Sequence, residues 1–341
     1  MKKEKIIYFL SMMLSRLINL GKKPEKLNFQ KILIIKLDEI GDVVNSLHVF
    51  YLLKNKYPKA EVTLLCKPFI GNLIKNDPSI NKIVYTVADL ESKYNLIADL
   101  RGNFETLKYE IKHPPDLRID RARVRWNNKM KGGHPHEVET NFQILLPLKI
   151  DRSLNFELKL FPSDEDKFVA EEFMQKNELT NFILFHTGAR RMLRRWSEKN
   201  FSRLALELKE KHKLDIIFVG DDSDVEVIKS IQKDLNFVTF SIAGKFTLLQ
   251  FSALCNKAKL FIGNESGPLH IAAASSVPAV GLFGPGEPIT FYPYGKKTTF
   301  IHHVLECNPC DQIHCVRPES PCIDLITQVE VIEKVVELIG N

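Results

Sequence analysis

Short apolar runs alternate with helix-like segments twice along this chain, and this repeat restricts the possible fold more than any other feature. The runs of the first series are KILIIKL (31–37), AEVTLLC (60–66), KIVYTV (82–87) and YNLIADLRG (94–102). Those of the second are FILFHTGA (182–189), LDIIFVG (214–220), NFVTFSI (236–242), KLFIGN (259–264) and VPAVGLFG (277–284). Such alternation is typical of a parallel sheet covered by helices on both faces. The pattern predicts an α/β protein with two doubly wound domains joined near residues 150–165, with ligands at the carboxyl ends of the strands.

The N-terminal segment MKKEKIIYFLSMMLSRLINLGKK lies outside this repeat. Polar residues recur in it at helical spacing, apolar residues cover the rest of the wheel, and lysines and Arg16 flank the apolar face. This pattern is typical of a helix in a membrane interface. A helix packed on its own domain and an uncleaved signal-like segment are the alternatives; Arg16 and the lack of a small-residue cleavage site argue against secretion. No apolar run approaches the roughly 18 residues of a spanning helix.

Three carboxylates, Asp38, Glu39 and Asp42, surround Gly41 directly after the first apolar run. Asp42 stands at the start of a helical segment, where an aspartate commonly caps the helix N-terminus. A carboxylate at that place is also suited to remove a proton from a substrate hydroxyl. Both interpretations remain open from the residues alone.

Two further segments indicate a phosphate site. GNESGPLH (263–270) joins a strand to a helix of small residues, and a helix N-terminus attracts a diphosphate; an ordinary turn capped by Ser266 is the alternative. HTGARRMLRRW (186–196) carries four arginines, which suit a departing diphosphate or a solvated basic loop. VGDDSD (219–224) contains Asp222-Ser223-Asp224, a tripeptide found in metal-dependent glycosyltransferases but also in capped turns.

The segment 117–137 is rich in basic residues, and we expect it to be a loop. The net charge of the chain is +6, so an anionic partner is favoured. Four cysteines lie close together near the C-terminus, where they predict a structural zinc site, with free thiols or disulfides as alternatives. They are Cys307, Cys310, Cys315 and Cys322. Cys66 and Cys255 are expected in the core. No Gly-x-Gly-x-x-Gly follows the first strand, which disfavours a dinucleotide oxidoreductase.

Four stretches in order resemble glycosyltransferase family 9, which includes the ADP-heptose:lipopolysaccharide heptosyltransferases. They are ILIIKLDEIGDVVNSLHVFYLLKNKYPKAEVTLL, FHTGARRMLRRWSEKNFSRLA, FIGNESGPLHIAAASSVPAVGLFGP and CNPCDQIHCVRPESPCIDLI. The resemblance implies a GT-B-type fold, with two Rossmann-like domains facing a central cleft. We therefore expect an N-terminal amphipathic helix (1–28), an acceptor-binding domain (29–155) and a nucleotide-sugar-binding domain with the cysteine cluster (156–341).

The resemblance also implies roles for particular residues. Asp42 becomes the catalytic base, with Asp38 and Glu39 in reserve. The donor-binding residues implied are Thr187, Gly188, Arg194, Asp222, Glu265, Ser266, Gly267, Pro268, Leu269 and His270. Arg194 replaces the lysine usual in the family, and Glu265 replaces an aspartate expected to hold sugar hydroxyls. The predicted acceptor-binding residues are Arg101, Arg118, Arg121, Arg123 and Arg125.

The expected activity is an inverting transfer of a sugar, most simply heptose from ADP-heptose, to a lipopolysaccharide-core or related envelope saccharide. No cofactor is expected for catalysis. The predicted location is cytoplasmic and peripheral, on the inner face of the cytoplasmic membrane. A nucleotide-sugar epimerase of the same architecture and a nucleic-acid-binding protein with a zinc module are the alternatives, although no nucleic acid is expected.

Overall fold

The computed structural model describes residues 2–150, 156–308 and 310–340, with side chains from Ile6 onward at the N-terminus. The chain divides into two compact units, Met1–Lys159 (unit 1) and Leu160–Asn341 (unit 2). This division lies four residues beyond the predicted boundary, and unit 1 includes the N-terminal helix.

Unit 1 is built on a five-stranded parallel sheet. Its strands are β1 (Lys31–Lys36), β2 (Glu61–Cys66), β3 (Lys82–Val84), β4 (Leu96–Arg101) and β5 (Leu117–Asp120). Its helices are α1 (Lys2–Ile18), α2 (Ile40–Val44), α3 (Leu47–Lys56), α4 (Pro68–Ile74), α5 (Phe104–Lys112), α6 (Arg121–Met130) and α7 (Glu137–Gln143). The strand order β3-β2-β1-β4-β5 places the topological switch between β1 and β4.

Unit 2 has a six-stranded parallel sheet. Its strands are β6 (Phe182–His186), β7 (Asp215–Val219), β8 (Phe240–Ser241), β9 (Leu260–Asn264), β10 (Ala279–Phe283) and β11 (Thr298–His302). Its helices are α8 (Asp164–Lys176), α9 (Glu198–His212), α10 (Val225–Lys233), α11 (Leu248–Cys255), α12 (Gly267–Ala274), α13 (Pro288–Phe291) and α14 (Gln328–Ile339). The order β11-β10-β9-β6-β7-β8 puts its switch between β9 and β6.

The central strands are buried on both faces, as their near-continuous apolar sequences predict. All five residues of β6, β9 and β10 are buried, and aromatic side chains from neighbouring elements pack among them. The two sheets confirm the predicted α/β, doubly wound class. The parallel strands also bring the loops that follow β1 and β4, and those that follow β6 and β9, to neighbouring positions on one edge of each sheet.

The expectation that residues 117–137 form a loop is wrong. They contain strand β5 and helix α6, and the first residue of α7. Strand β5 was missed because two of its four buried residues are Arg118 and Asp120, which are buried as ions and break the apolar pattern. Helix α6 begins at Arg121, and the carboxylate of the preceding Asp120 accepts the N–H of Arg123 as an N-cap.

None of the helices in the described part of the chain is long and apolar enough to cross a membrane.

Candidate functional site

Asp42 lies in the loop that follows β1, at the switch point of unit 1. It occupies the first turn of α2, while Glu39 holds the N-cap position, so the interpretation of Asp42 as the cap residue is wrong. Its side chain is 27% exposed, and Nη2 of Arg121 lies 3.9 Å from Oδ1. Burial raises the pKa of Asp42 and the neighbouring Asp38 adds to this, while the Lys36 and Arg121 cations oppose the shift. The result is a partly accessible carboxylate with a raised affinity for protons.

The two alternative carboxylates, Asp38 and Glu39, are paired with cations more closely than Asp42 is. Asp38 is buried and receives Lys36 Nζ at 2.7 Å and Arg121 Nη1 at 3.2 Å. Burial acts to raise the pKa of Asp38, but the Lys36 and Arg121 cations outweigh it and leave the pKa below its usual value. Glu39 is half exposed and paired with Lys67 at 2.7 Å. Asp42 is therefore the best placed of the three to accept a proton.

Ion pairs next to Asp42 hold the Arg121 side chain in place. Its Nη2 lies 2.6 Å from Glu137, which also binds Arg125 at 2.7 Å. Arg101 ends β4 beside β1, with Nε 3.5 Å from Asp38. Arg101 and Arg125 keep about a third of their side-chain surface exposed, whereas Arg121 is buried. Arg123 is exposed on α6. The structure thus brings Arg101, Arg121 and Arg125 to the Asp42 region.

Arg118 is separate from this group, and its prediction as an acceptor-binding residue is corrected. Its guanidinium is fully buried and binds three carboxylates: Asp99 at 2.5 Å, Asp120 at 3.3 Å, and Glu110. It also donates to Ser11 and Ser15 of α1. Every side of the group is occupied by protein, so Arg118 holds the unit together and presents no charge to a ligand.

In unit 2, the two predicted phosphate-binding segments meet at the switch point. Asn264, at the end of β9, donates to the Thr187 carbonyl at 2.8 Å and accepts from the Trp196 N–H at 3.0 Å. Ser266 Oγ lies 3.1 Å from His186 Nδ1 at the end of β6. Asn264 and His186 hold this site but were not assigned a role from the sequence. The sequence feature that could have identified them is a polar residue at the end of an otherwise apolar strand.

The turn before α12 differs from an ordinary capped turn. Ser266 stands at the N-cap but makes no side-chain cap, because its hydroxyl donates instead to the Asn264 carbonyl at 2.9 Å. The first turn of α12, which begins with Gly267-Pro268-Leu269, therefore lacks a capping side chain, and an anion is suited to bind there. Thr187, Gly188 and His270 are buried nearby in the sequence-predicted segments. A side chain at Gly188 would collide with Asp224, which explains the glycine.

Arg194 and Glu265 form the charged pair of unit 2. Nη1 of Arg194 lies 3.1 Å from Glu265, and its Nε donates to Gln312 at 2.7 Å. Burial raises the pKa of Glu265 to about 7, with Arg194 opposing the shift and Glu287 reinforcing it. Glu265 Oε2 has no hydrogen-bond partner among the described residues. Gly286 makes room for this carboxylate, since a Cβ there would overlap it.

Asp222 is exposed in a short 3₁₀ turn and packs beside Gly244. In the same turn, Asp224 is buried and its carboxylate accepts the Asp221 N–H, which supports the interpretation of VGDDSD as a capped turn. The predicted contact of Asp222 with the donor stays a prediction.

The four clustered cysteines line one cavity of about 40 Å³ together with His314 and Arg317. All of them are free thiols. Thiolates are the donors that structural zinc prefers. In the described ranges, no group of three or more His, Cys, Asp or Glu side chains is arranged to hold an ion. Zinc stays a prediction. Cys66 and Cys255 are buried in the core, as expected.

The fold and the two loop systems are those of a GT-B-type glycosyltransferase with two Rossmann-like units. A family model for glycosyltransferase family 9 (heptosyltransferase) matches residues 117–320, more than half of the chain. The chain belongs to this family. It is 26% identical to lipopolysaccharide heptosyltransferase 3 of Escherichia coli over 293 residues, which cover 75% of this chain and 84% of the relative.

Two solved structures agree in fold. A family 9 glycosyltransferase from Veillonella parvula aligns with a TM-score of 0.80 at 19% identity, over 92% of this chain and 98% of its own. The E. coli ADP-heptose lipopolysaccharide heptosyltransferase II aligns with a TM-score of 0.73 at 21% identity, over 91% and 98%. The family and the curated relative identify the protein as a glycosyltransferase of lipopolysaccharide biosynthesis, which favours transfer over epimerisation.

Proposed function

We propose that this protein transfers a heptose from ADP-heptose to a sugar of the lipopolysaccharide core, with inversion at the anomeric carbon and without a catalytic metal ion. The donor is suggested by relatives that include an ADP-heptose lipopolysaccharide heptosyltransferase. The observation that carries the proposal is the state of Asp42. Its side chain is partly exposed and burial raises its pKa, whereas Asp38 is buried with a lowered pKa and Glu39 is paired with Lys67.

Asp42 acts as the general base. It removes the proton of the acceptor hydroxyl while that oxygen forms a bond to the anomeric carbon of the donor. The bond from this carbon to the diphosphate oxygen breaks in the same step, and ADP leaves. A single displacement inverts the anomeric configuration. A raised pKa favours this role, because a base is most effective when its pKa approaches the working pH.

The leaving diphosphate gains negative charge, which unit 2 can balance. Arg194 contributes a guanidinium, and the uncapped first turn of α12 contributes backbone N–H groups and the positive end of the helix dipole. The Thr187 hydroxyl is buried and has no hydrogen-bond partner in the described ranges, so it is available to a phosphate oxygen. Glu265 is suited to accept hydroxyls of the donor sugar.

The acceptor is expected to bind in unit 1. Arg101 and Arg125 are partly exposed near Asp42, and Arg123 adds an exposed cation on α6. These groups suit the phosphates and carboxylates of a lipid-linked core saccharide. Since that acceptor is membrane-bound, the protein is expected to work at the inner face of the cytoplasmic membrane.

The test is a donor screen read by mass spectrometry. The purified protein is incubated with a panel of nucleotide sugars and a lipid-A-core extract, with and without a chelator. We expect one donor, ADP-heptose, to be used without added divalent ion. Asp42→Asn is expected to lose kcat by roughly 100- to 10,000-fold, because general-base catalysis contributes that much. Metal analysis of the same preparation tests the zinc prediction.

Glu39→Gln is the matched control, since it removes a carboxylate three residues away that is exposed and paired with Lys67. It is expected to retain activity. Full activity in Asp42→Asn would place the base elsewhere, and consumption of the donor to an epimer without acceptor would replace transfer by epimerisation.

A further inference from the structure

Helix α1 packs on unit 1 through its polar side. Ser11 donates to Asp99 at 3.4 Å, and Ser15 bonds to Asp120. Asn19, in the turn after the helix, donates to the Arg118 carbonyl at 2.6 Å and accepts its N–H at 3.0 Å. Ser11 and Ser15 are buried and lie against the charged cluster around Arg118. The polar stripe, which in a surface helix normally faces water, is here the docking face.

The opposite side of α1 is apolar and exposed. Five large apolar residues have between 38% and 67% of their surface accessible: Ile6, Phe9, Leu10, Met13 and Leu17. At about 100° per residue they fall within an arc of roughly 100°, so they form one continuous stripe. The usual arrangement of a surface helix is therefore reversed, and a contiguous apolar surface of this kind marks an interaction site.

Basic residues accompany this stripe along the chain. Arg16, Lys23 and Lys26 are exposed, and the sequence adds Lys2, Lys3 and Lys5 to the helix, against the acids Glu4 and Glu25. Helix α6, which packs beside α1, exposes Trp126 and Met130. A helix of 17 residues spans about 25 Å, too short to cross a bilayer, but its composition suits the plane of the interface.

We propose that the outward stripe of α1 binds the surface of an anionic lipid bilayer, with the helix axis in the membrane plane. The cations select this partner, because apolar contact with a second protein copy needs no excess positive charge around it, whereas anionic lipid headgroups attract it. The apolar residues enter the boundary between headgroups and acyl chains, and the cations stay at headgroup level.

The docking face connects this surface to the candidate acceptor site, a step that rests on the proposed function. The Tyr8 hydroxyl of α1 accepts a hydrogen bond from Arg101 at 2.9 Å and lies 3.5 Å from Arg125. The Arg101 guanidinium also lies over the Tyr8 ring, 5.8 Å from its centre. Helix α1 therefore links the proposed membrane surface directly to the two partly exposed arginines that are proposed to bind the acceptor.

Vesicle flotation of the full chain tests the proposal without any sugar transfer. Wild type is expected to float with vesicles of phosphatidylglycerol and phosphatidylethanolamine, weakly with phosphatidylcholine alone, and less as salt increases. The double variant Phe9→Glu with Leu17→Glu is expected to bind at least roughly tenfold more weakly, since two apolar side chains that would enter the lipid are lost. Phe168→Glu with Val238→Glu, two exposed apolar positions of unit 2, is the matched control and is expected to float like wild type.

Thermal unfolding of each variant verifies that it is folded. Activity on a water-soluble, delipidated core saccharide is expected to be unchanged in Phe9→Glu with Leu17→Glu, so loss of membrane binding is distinguished from loss of the proposed activity. Equal flotation of the double variant and wild type, or equal binding to neutral and anionic vesicles, would overturn the proposal. So would a wild-type dimer in sedimentation that the double variant abolishes while its vesicle binding persists.

Discussion

Arg194 is the residue of unit 2 whose charge is best placed for chemistry. It is 27% exposed, and Glu265 and Gln312 hold its guanidinium from two directions. The sequence placed an arginine where the family usually has lysine, and the structure shows a consequence: the planar group satisfies two partners at once, which a single ammonium does less well. Because its partners already position the Arg194 guanidinium, the side chain needs to move little to stabilise the departing diphosphate.

Arg194→Ala is expected to lower kcat by roughly 100- to 1,000-fold, the usual effect of removing one preorganised charge-stabilising group. Steady-state kinetics with the identified donor measures it. Arg191→Ala removes the same charge from an exposed position in the same loop and is expected to change kcat little. Arg194→Lys keeps the charge and should recover part of the rate. Equal effects of Arg194→Ala and Arg191→Ala would mean that the loop acts only through its overall charge.

At the scale of single elements, the region from β5 to α6 shows where sequence patterns are insufficient. Periodicity predicted the central strands well because β1, β6 and β9 are buried through apolar side chains. It failed at β5, where Arg118 and its three carboxylates are buried as a closed set of ions. The partners come from β4, α5 and β5 itself, and no local pattern in residues 117–137 reveals them. An arginine in a basic run can thus be structural, while its neighbour Arg121 lies at the site.

Arg118→Ala tests this assignment. Removal of one partner from a buried ionic cluster leaves uncompensated charges and costs about 3–5 kcal/mol. We expect urea unfolding to report a loss of this size, with the docking of α1 weakened because Ser11 and Ser15 lose their donor. Arg123→Ala, an exposed arginine of α6, is the control and is expected to leave stability unchanged. A stable Arg118→Ala with weakened acceptor binding would restore Arg118 to the acceptor site.

For the whole molecule, the alternation of strands and helices and the ordered motifs predicted different features. The repeated alternation predicted two parallel α/β units, and four ordered motifs predicted the family; both are confirmed. The motifs also placed Asp42, Arg194 and Ser266 in the segments that follow β1, β6 and β9, which are strands at the switch points. The contacts that hold the two sites in place were not predictable from the sequence. Glu137 binds Arg121 in unit 1 and Asn264 binds the Trp196 N–H in unit 2, and only tertiary packing brings each pair together. The reversed orientation of α1 depends on such packing too.

Buried histidines are expected to make the stability of the whole protein depend on pH. His48 is fully buried in unit 1 and stacks on Phe156, with ring centres 4.5 Å apart. Burial lowers the pKa of His48 from 6.5 to about 3, and burial likewise lowers the pKa of His186 in unit 2 to about 4. The unfolded chain binds these protons below pH 6.5 and the folded chain does not. Their contribution to stability is therefore fully present above pH 6.5 and is lost as the pH falls toward these values.

His48→Phe keeps an aromatic ring for the stack and removes the titrating group. Wild type should lose about 1.4 kcal/mol per pH unit to His48 below its unfolded pKa, or roughly 2 kcal/mol between pH 6.5 and 5. Urea unfolding at a series of pH values is expected to show the variant losing less stability than wild type by that amount, because its unfolded chain no longer gains a proton at position 48. His134→Phe alters an exposed histidine of the same unit and is expected to follow the wild-type curve. Parallel curves for His48→Phe and wild type would mean that the acid sensitivity arises elsewhere, with His186 the next group to replace.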